Sequence, residues 1–123
     1  MGAEILVVTE QRNGVLNRAS WEVIVGAQKL AEELQKKLAV AVVGNDIQAV
    51  ADEVAAKGAG EVLLVEHEHL AQYTPDGYSL ALQHVVHTEK PELILFGHTY
   101  RARDYVPKLA AALGKPLVSD CVR

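Results

Sequence analysis

Apolar and polar residues follow one another in blocks whose length and period predict strands alternating with helices. Short apolar runs, such as LILF at residues 93–96, are typical of strands buried on both faces of a sheet. The longer segments between them carry apolar residues three and four positions apart, the spacing of a helix with one buried face. The predicted strands are residues 4–9, 38–43, 61–65, 93–96 and 117–118. The predicted helices are residues 17–37, 45–56, 76–88 and 104–113, with Asn45 or Asp46 as the cap of the second.

This alternation predicts parallel strands joined by right-handed crossovers. We therefore expect an α/β fold of three layers, a Rossmann-like parallel sheet of about five strands with helices on both faces, in the adenine nucleotide alpha hydrolase-like arrangement. The expected strand order is 3-2-1-4-5, with the switch point between the first and fourth strands. At 123 residues the chain has the length of one domain.

Turn and cap residues mark where the predicted elements begin and end. Asn17 is placed to cap the first long helix, and residues 11–14 form the turn before it. The longest connection, residues 66–77, ends in Thr-Pro-Asp-Gly, which is a strong turn signal. Pro107 is placed early in the last helix, where its missing N–H costs little, and Gly114 supplies the C-cap.

Charge is distributed unevenly along the chain, whose formal net charge is −4. Residues 1–97 carry a net charge of −7, whereas residues 98–123 carry +3. The acidic body argues against nucleic-acid binding, and the basic end suits a phosphate, an acidic protein partner or simply solvent. Its first polar and basic residues follow the fourth strand in a predicted loop and are His98, Thr99, Tyr100, Arg101 and Arg103.

No segment has the composition of a membrane span or a secretion signal. No apolar run approaches the ~20 residues that a membrane helix needs, and the start, MGAE, lacks a basic region ahead of an apolar one. A single cysteine, Cys121, excludes an intramolecular disulfide and suits a reducing compartment. We expect a cytoplasmic protein without a membrane partner, or one of the mitochondrial matrix if the source is eukaryotic.

The strong nucleotide-binding motifs are absent, although the expected crevice has candidate residues. A G-x-G-x-x-G fingerprint would follow the first strand directly, and residues 10–14 contain a single glycine. Gly58 and Gly60 follow a helix, where they serve as a cap, and no Walker lysine motif occurs. An adenine nucleotide in the crevice stays open as a weaker alternative. The residues predicted at strand ends around it are Thr9, Gly44, Gly97, Thr99 and Arg101.

Histidine and cysteine residues raise two further chemistries. His67 and His69 share a face if the third strand extends to them, but no cysteine or carboxylate stands beside them at a recognised ligand spacing. We therefore favour surface or helix-capping histidines over a metal site. Cys121 has no evident base, so a passive thiol is favoured over a nucleophile.

Three ordered motifs near the end of the chain are similar to those of one known family. They are LIL-x-G-x-T at residues 93–99, RD-x-x-PKLAA-x-LG at residues 103–114 and SDC at residues 119–121. On these motifs the chain resembles the amino-terminal domain of the electron transfer flavoprotein alpha subunit, and the earlier strands and helices fit the same domain over the whole chain. One departure is Ala102, where the family usually has glycine, which predicts a somewhat different path for the loop.

The resemblance implies that residues 1–123 are one domain of a larger subunit. Electron transfer flavoproteins are heterodimers of alpha and beta subunits that carry electrons from dehydrogenases through FAD to a quinone reductase. In that family the FAD is held mainly by the carboxyl-terminal domain of the alpha subunit, which this chain does not contain. The resemblance therefore implies a structural, subunit-interface domain without catalysis and without a cofactor or metal of its own.

The basic segment is then the expected docking surface. Arg101 and Arg103 are placed to contact acidic or backbone acceptors on the beta subunit or the flavin domain. Asp104 belongs to the same surface or, in the more modest interpretation, caps the helix that follows. The alternative is a stand-alone adenine-nucleotide-binding module resembling universal stress proteins, although the chain lacks the glycine-rich stretch that their ATP-binding members carry after the fourth strand.

Overall fold

Strands and helices alternate along the chain as the sequence predicts. The computed structural model describes residues 4–12, 14–58, 60–97 and 99–114. In chain order the elements are β1 (Ile5–Val8), β2 (Gln11–Arg12), β3 (Val15–Leu16), α1 (Arg18–Leu34), β4 (Leu38–Gly44), α2 (Gln48–Ala56), β5 (Glu61–Glu66), a short 3-10 helix (Glu68–Leu70), α3 (Pro75–Glu89), β6 (Leu93–Phe96) and α4 (Tyr100–Leu113).

Four of the strands form one parallel sheet in the order β5-β4-β1-β6. Val7 of the central strand β1 is in register with Val40 on one side and Leu95 on the other. Counting the sheet strands alone, this order is 3-2-1-4, which confirms the predicted switch point between the first and fourth strands. The fifth predicted strand, residues 117–118, lies outside the described residues. β2 and β3 pair separately as a small antiparallel hairpin directly after β1.

Alternating side chains of the sheet form two cores, one on each face. Ile5 and Val7 pack on one face with residues of α1 and α2, whereas Leu6 and Val8 pack on the other with residues of α3 and α4. Because successive strand side chains point to opposite faces, one continuous apolar strand supplies both cores. The result is the predicted three-layer α/β architecture.

β6 has the predicted bounds but is less buried than predicted. Leu95 alone of its four residues is buried, and Leu93, Ile94 and Phe96 are half-buried. Within the described part of the chain, β6 pairs with β1 only, so its other edge has no strand neighbour there. A run of four large apolar residues therefore indicates a strand without fixing its position in the sheet.

α4 begins one turn earlier than predicted because Thr99 caps it. The amide of Ala102 donates to Thr99 Oγ1 at 3.1 Å, and the helix starts at Tyr100. The predicted loop over residues 98–103 is therefore wrong where the structure describes it, since Arg101 and Arg103 are helical; His98 lies outside the described residues. Asp104 is not a cap. Pro107 lies in the interior of the helix instead of its first turn.

α2 is also capped differently from the prediction. Neither Asn45 nor Asp46 supplies a cap, because the helix begins at Gln48. The amide of Ile47 instead donates to Glu66 Oε2, from the end of β5, at 2.9 Å. A carboxylate distant in sequence thus satisfies a helix-terminal N–H, which local sequence signals do not reveal.

The other helix ends follow ordinary capping chemistry. Asn17 caps α1 as predicted, its side chain accepting from the amide of Ser20, but α1 stops at Leu34 because Gln35 is left-handed with φ 55°. The Thr-Pro-Asp-Gly segment forms the start of α3, where Thr74 Oγ1 accepts from the amide of Gly77 at 3.0 Å. The strong turn signal is therefore the first turn of a helix.

Replacing Gly26 by alanine is expected to raise the free energy of unfolding by about 0.5–1 kcal/mol. Gly26 lies exposed inside α1, and an added Cβ meets no atom within 4 Å. The gain comes from the smaller backbone entropy that alanine loses on folding. Urea denaturation followed by circular dichroism measures it.

Gly60→Ala is the matched control and is expected to lower the same free energy. Gly60 has φ +131°, and an added Cβ would lie 2.8 Å from the carbonyl oxygen of Leu38. The atom that the added Cβ meets belongs to the backbone of Leu38, so no flexible side chain can move aside. Equal effects of the two alanines would contradict this account of both glycines.

Candidate functional site at the carboxyl edge of the sheet

The five residues predicted around a nucleotide crevice all lie at the carboxyl edge of the sheet. Thr9 follows β1, Gly44 ends β4 and Gly97 follows β6. Thr99 and Arg101 are the N-cap and the second residue of α4. Because the strands are parallel, their carboxyl ends meet at one edge, next to the switch point where ligands bind in open α/β sheets. The five residues therefore lie at the predicted edge, and binding of a nucleotide there stays a prediction.

The edge is crossed by Glu10 and Gln11, which we call the strap. Glu10 Oε1 accepts a hydrogen bond from Thr99 Oγ1 at 2.7 Å, and the Gln11 carbonyl accepts one from Arg101 Nη1 at 3.3 Å. Gln11 Nε2 donates to the carbonyl of Val43 at 3.4 Å. The strap thus bridges the end of β4 and the start of α4.

The backbone of the strap is tied to α1 as well. The amide of Glu10 donates to Ser20 Oγ at 2.7 Å, and the carbonyl of Glu10 accepts from the amide of Asn17 at 3.1 Å. Ser20 is buried in the first turn of α1. Glu10 is therefore held by α1 and by the start of α4, which fixes the path of the chain as it leaves β1.

The predicted crevice residues make contacts within the chain itself. Thr9 is 2% exposed, and its Oγ1 donates to the carbonyl of Ala41 at 2.8 Å. A Cβ on Gly44 would lie 2.5 Å from Gln11 Nε2. A Cβ on Gly97 would lie 3.1 Å from the Cβ of Ala19. These two glycines allow close approach of the strap and of α1, which is a packing role.

Arg101 is half-buried beneath the strap and faces an aromatic cluster. Its guanidinium carbon lies 4.9 Å from the centroid of the Tyr73 ring, a cation–π contact. The Tyr73 hydroxyl donates its one proton to Asp104 Oδ2 at 2.7 Å, and the carbonyl oxygen of Arg101 lies 3.3 Å from the same hydroxyl. Burial first, and then the hydrogen bond to the Asp104 carboxylate, raise the pKa of Tyr73 well above its usual value.

The cluster continues inward from Tyr73. The Tyr73 and Tyr78 rings lie 5.0 Å apart edge to face, and Tyr105 lies 5.7 Å from Tyr78 and 5.9 Å from Phe96. Burial raises the pKa of Tyr105 strongly and that of Tyr78 to a lesser extent, with the charge of Arg101 opposing both rises. All three phenols stay neutral over the physiological pH range, so the cluster acts as a packed support for Arg101.

The three predicted docking residues differ in exposure. Arg103 and Asp104 are exposed on α4, whereas Arg101 is half-buried and directed toward Gln11 and Tyr73. Their role in binding a partner stays a prediction. The sequence did not reveal that Arg101 and Arg103, two positions apart, have different surroundings; the helical phase of α4 would have indicated it, had the cap at Thr99 been recognised.

Two residues of this site were missed by sequence analysis. Glu10 directly follows the first strand at the predicted switch point, so its position carried a signal. Tyr73 lies in the long connection before α3, where no local pattern relates it to residues 101–104.

The predicted histidine pair does not share a strand face. β5 ends at Glu66, and His67 Nδ1 accepts from the amide of His69 at 3.0 Å as the N-cap of the 3-10 helix. Among residues 4–12, 14–58, 60–97 and 99–114, no three His, Cys, Asp or Glu side chains are placed to hold one metal ion. Cys121 lies outside the described residues.

The fold and the contacts at the carboxyl edge define the class of protein. The described chain is a parallel α/β domain in which hydrogen bonds to Glu10 and Gln11 cross the carboxyl edge at the switch point. A family model for the electron transfer flavoprotein domain matches residues 5–123, and the chain belongs to that family. This confirms the resemblance drawn from the motifs at residues 93–121.

Several relatives are similar over nearly the whole chain. The chain is 40% identical over 118 residues to the acryloyl-CoA reductase electron transfer subunit beta of Anaerotignum propionicum, covering 96% of this chain and 32% of that protein. It is 34% identical over 122 residues to the electron transfer flavoprotein subunit alpha of Bacillus subtilis, covering 99% and 37%. It is 36% identical over 120 residues to protein FixB of Azorhizobium caulinodans, covering 95% and 32%.

The chain spans about a third of the length of these relatives, as their coverage of 32–37% indicates. These relatives lend no support to the universal stress protein alternative. The helices of the described segments include none with the length and hydrophobicity of a membrane span.

The family implies FAD in the full protein, and polar side chains at this edge are engaged within the chain. The hydroxyls of Thr9 and Thr99 donate within the chain, and Arg101 donates from Nη1 to the Gln11 carbonyl. Every fully buried side-chain nitrogen or oxygen in the described segments has a hydrogen-bond partner.

Proposed function

We propose that this chain is the amino-terminal domain of an electron transfer flavoprotein alpha subunit and serves as a structural, heterodimer-interface domain. Its partner is the beta subunit, and the FAD that carries the electrons is bound mainly by a carboxyl-terminal domain outside residues 1–123. The family membership and the similarity to alpha subunits over nearly the whole chain support this proposal. The domain itself catalyses no reaction.

The observation that carries the supporting role is the strap across the switch-point crevice. In open α/β sheets this crevice holds the ligand. Here the Glu10 carboxylate accepts a hydrogen bond from Thr99, and the Gln11 side chain donates one to the carbonyl of Val43. The Arg101 guanidinium donates to the Gln11 carbonyl. These three hydrogen bonds cross the edge. A domain that fills its own ligand crevice with its own side chains is suited to present surfaces to other proteins.

The whole protein is proposed to take electrons from dehydrogenases and deliver them to a quinone reductase. One relative is an electron transfer subunit of acryloyl-CoA reductase, which supports a redox enzyme as the partner. The proposed compartment is the cytoplasm, a reducing space that suits a chain with one cysteine.

The proposed docking surface is the first half of α4, with Arg101, Arg103 and Asp104. Arg103 and Asp104 are exposed there, and the basic character of residues 98–123 contrasts with the acidic body of the chain. An arginine fork suits carboxylate or carbonyl acceptors on the beta subunit or on the flavin domain.

The test is equilibrium titration of the 123-residue chain with AMP, ATP and FAD. We expect no saturable binding of any of them at concentrations below about 1 mM, because the crevice is occupied by the strap. Equilibrium dialysis with absorbance detection measures the adenine nucleotides, and flavin fluorescence measures FAD.

Two results would overturn the proposal in different ways. AMP or ATP binding with a Kd in the micromolar range would favour the stand-alone nucleotide module. A stoichiometric yellow chromophore in the purified chain would place the flavin within residues 1–123. As a positive arm, the chain is mixed with an electron transfer flavoprotein beta subunit, and the expected result is a one-to-one complex on size-exclusion chromatography.

A further inference from the structure

Arg101 connects three segments that are far apart in the sequence. Its Nη1 donates to the Gln11 carbonyl at 3.3 Å, and its guanidinium lies over Tyr73 at 4.9 Å. Its own carbonyl oxygen lies 3.3 Å from the Tyr73 hydroxyl. The side chain is half-buried. These contacts hold the strap, the connection before α3 and the first turn of α4 in one arrangement.

Glu10 holds the same arrangement from the other side. Its carboxylate accepts from Thr99 Oγ1 at 2.7 Å, while Thr99 Oγ1 accepts from the amide of Ala102 at 3.1 Å. The Thr99 hydroxyl therefore links the Glu10 carboxylate to the N-terminal end of α4, where the helix dipole favours a negative charge. The strap is fixed to α4 by one neutral cap residue and one arginine.

The two arginines of the proposed docking surface differ in burial, since Arg101 is half-buried and Arg103 is exposed. The guanidinium of Arg101 is committed to groups of its own chain, and reaching a partner would cost its contacts with Gln11 and Tyr73. Arg103 is exposed on the same helix, next to the exposed Asp104. Both arginines belong to the first turn of α4, which the contacts of Arg101 tie to Gln11 and Tyr73.

We propose that Arg101 is a positioning residue, which clamps the strap and so shapes the docking surface from below, while Arg103 contacts the beta subunit. The partner role of Arg103 rests on the proposed function, but the clamp is a property of this chain alone. An experiment can therefore contradict the clamp by Arg101 without contradicting the partner contact of Arg103, and the reverse.

Hydrogen–deuterium exchange of the free chain tests the clamp. In Arg101→Met, we expect amides of residues 10–16 to exchange roughly 10-fold faster, because a charge-assisted hydrogen bond and a cation–π contact are lost. Arg103→Met is the matched control and is expected to leave that exchange unchanged. Glu10→Gln weakens the strap from the opposite side and is expected to accelerate the same amides.

Arg101→Lys keeps the charge over Tyr73 but lacks the planar fork, so its exchange is expected to lie between wild type and Arg101→Met. Unchanged exchange of residues 10–16 in both Arg101→Met and Glu10→Gln would overturn the clamp, whatever their effect on assembly. Circular dichroism of each variant confirms that the fold is retained.

Association with the beta subunit tests the division of roles. Arg103→Glu is expected to weaken binding at least about 10-fold and to reduce its salt dependence, as removal of a direct charge contact does. Arg101→Met is expected to weaken binding less, and adding Glu10→Gln to it is expected to cause little further loss, because both act through the strap. Additive losses would make Arg101 a direct contact, and intact binding of Arg103→Glu would remove Arg103 from the interface.

Discussion

Leu82→Ala is expected to lower the free energy of unfolding by about 3–4 kcal/mol. Leu82 lies in α3 with 0% of its surface exposed, in the core that packs α3 and α4 on the sheet. Removing its side chain loses the transfer free energy of the buried carbons and leaves a cavity that the two helices and the sheet fill only in part. Urea denaturation with a common m-value measures the change.

Leu80→Ala supplies the matched control in the same helix. Leu80 is 66% exposed, so the same truncation is expected to change the free energy of unfolding by no more than about 0.5 kcal/mol. The pair differs in burial and not in residue type or element. Similar losses at both positions would mean that α3 presents a different face to the sheet.

The fold was largely predictable because hydrophobic periodicity carries the information. Buried runs such as residues 5–8 and 38–44 have no polar interruption, which is the mark of strands covered on both faces. Once strands alternate with helices, crossover handedness leaves few topologies, and the observed order of the described strands is among them.

Helix boundaries were less predictable because some capping residues are neighbours in the sequence and others are distant. Asn17 is a local cap and was recognised in the sequence. Glu66 satisfies the amide of Ile47 only after the sheet has formed, so no local pattern announces it. Thr99 is a local cap, but the polar and basic residues around it led to the prediction of a loop. The predicted start of α4 was therefore one turn too late.

The candidate site was predictable as a place and not as a set of contacts. The rule that ligands meet parallel sheets at the carboxyl edge located Thr9, Thr99 and Arg101 correctly. The contacts at this edge depend on Glu10 and on the Tyr73 hydroxyl, which meet Thr99 and Asp104 at sequence separations of 89 and 31 respectively. Such long-range polar pairs leave no periodic trace in a single sequence.

A filled crevice has a functional consequence for a domain of this family. A nucleotide bound at the switch point would have to displace the Glu10 carboxylate from Thr99 and the Gln11 carbonyl from Arg101. Each displaced group would need a new partner to offset its lost hydrogen bond. The strap thus favours a domain that contributes shape and charge to an assembly over one that exchanges a small ligand.

Thr99→Val is expected to lower the free energy of unfolding by about 2–3 kcal/mol. Valine keeps the shape of threonine but removes the hydroxyl that accepts from the Ala102 amide and donates to Glu10 Oε1. The lost N-cap accounts for about 1 kcal/mol, and the lost bond to a half-buried carboxylate accounts for about 1.5 kcal/mol more. Urea denaturation measures the sum.

Thr74→Val separates the two contributions. Thr74 caps α3 with the same geometry, its Oγ1 accepting from the Gly77 amide at 3.0 Å, but it is exposed on the surface. The expected loss is therefore the cap alone, about 1 kcal/mol. The difference in unfolding free energy between the two variants should vanish in a Glu10→Ala background, because the carboxylate that accepts from Thr99, and not from Thr74, is then gone. If the difference persists there, the strap is not held by the bond between Glu10 and Thr99.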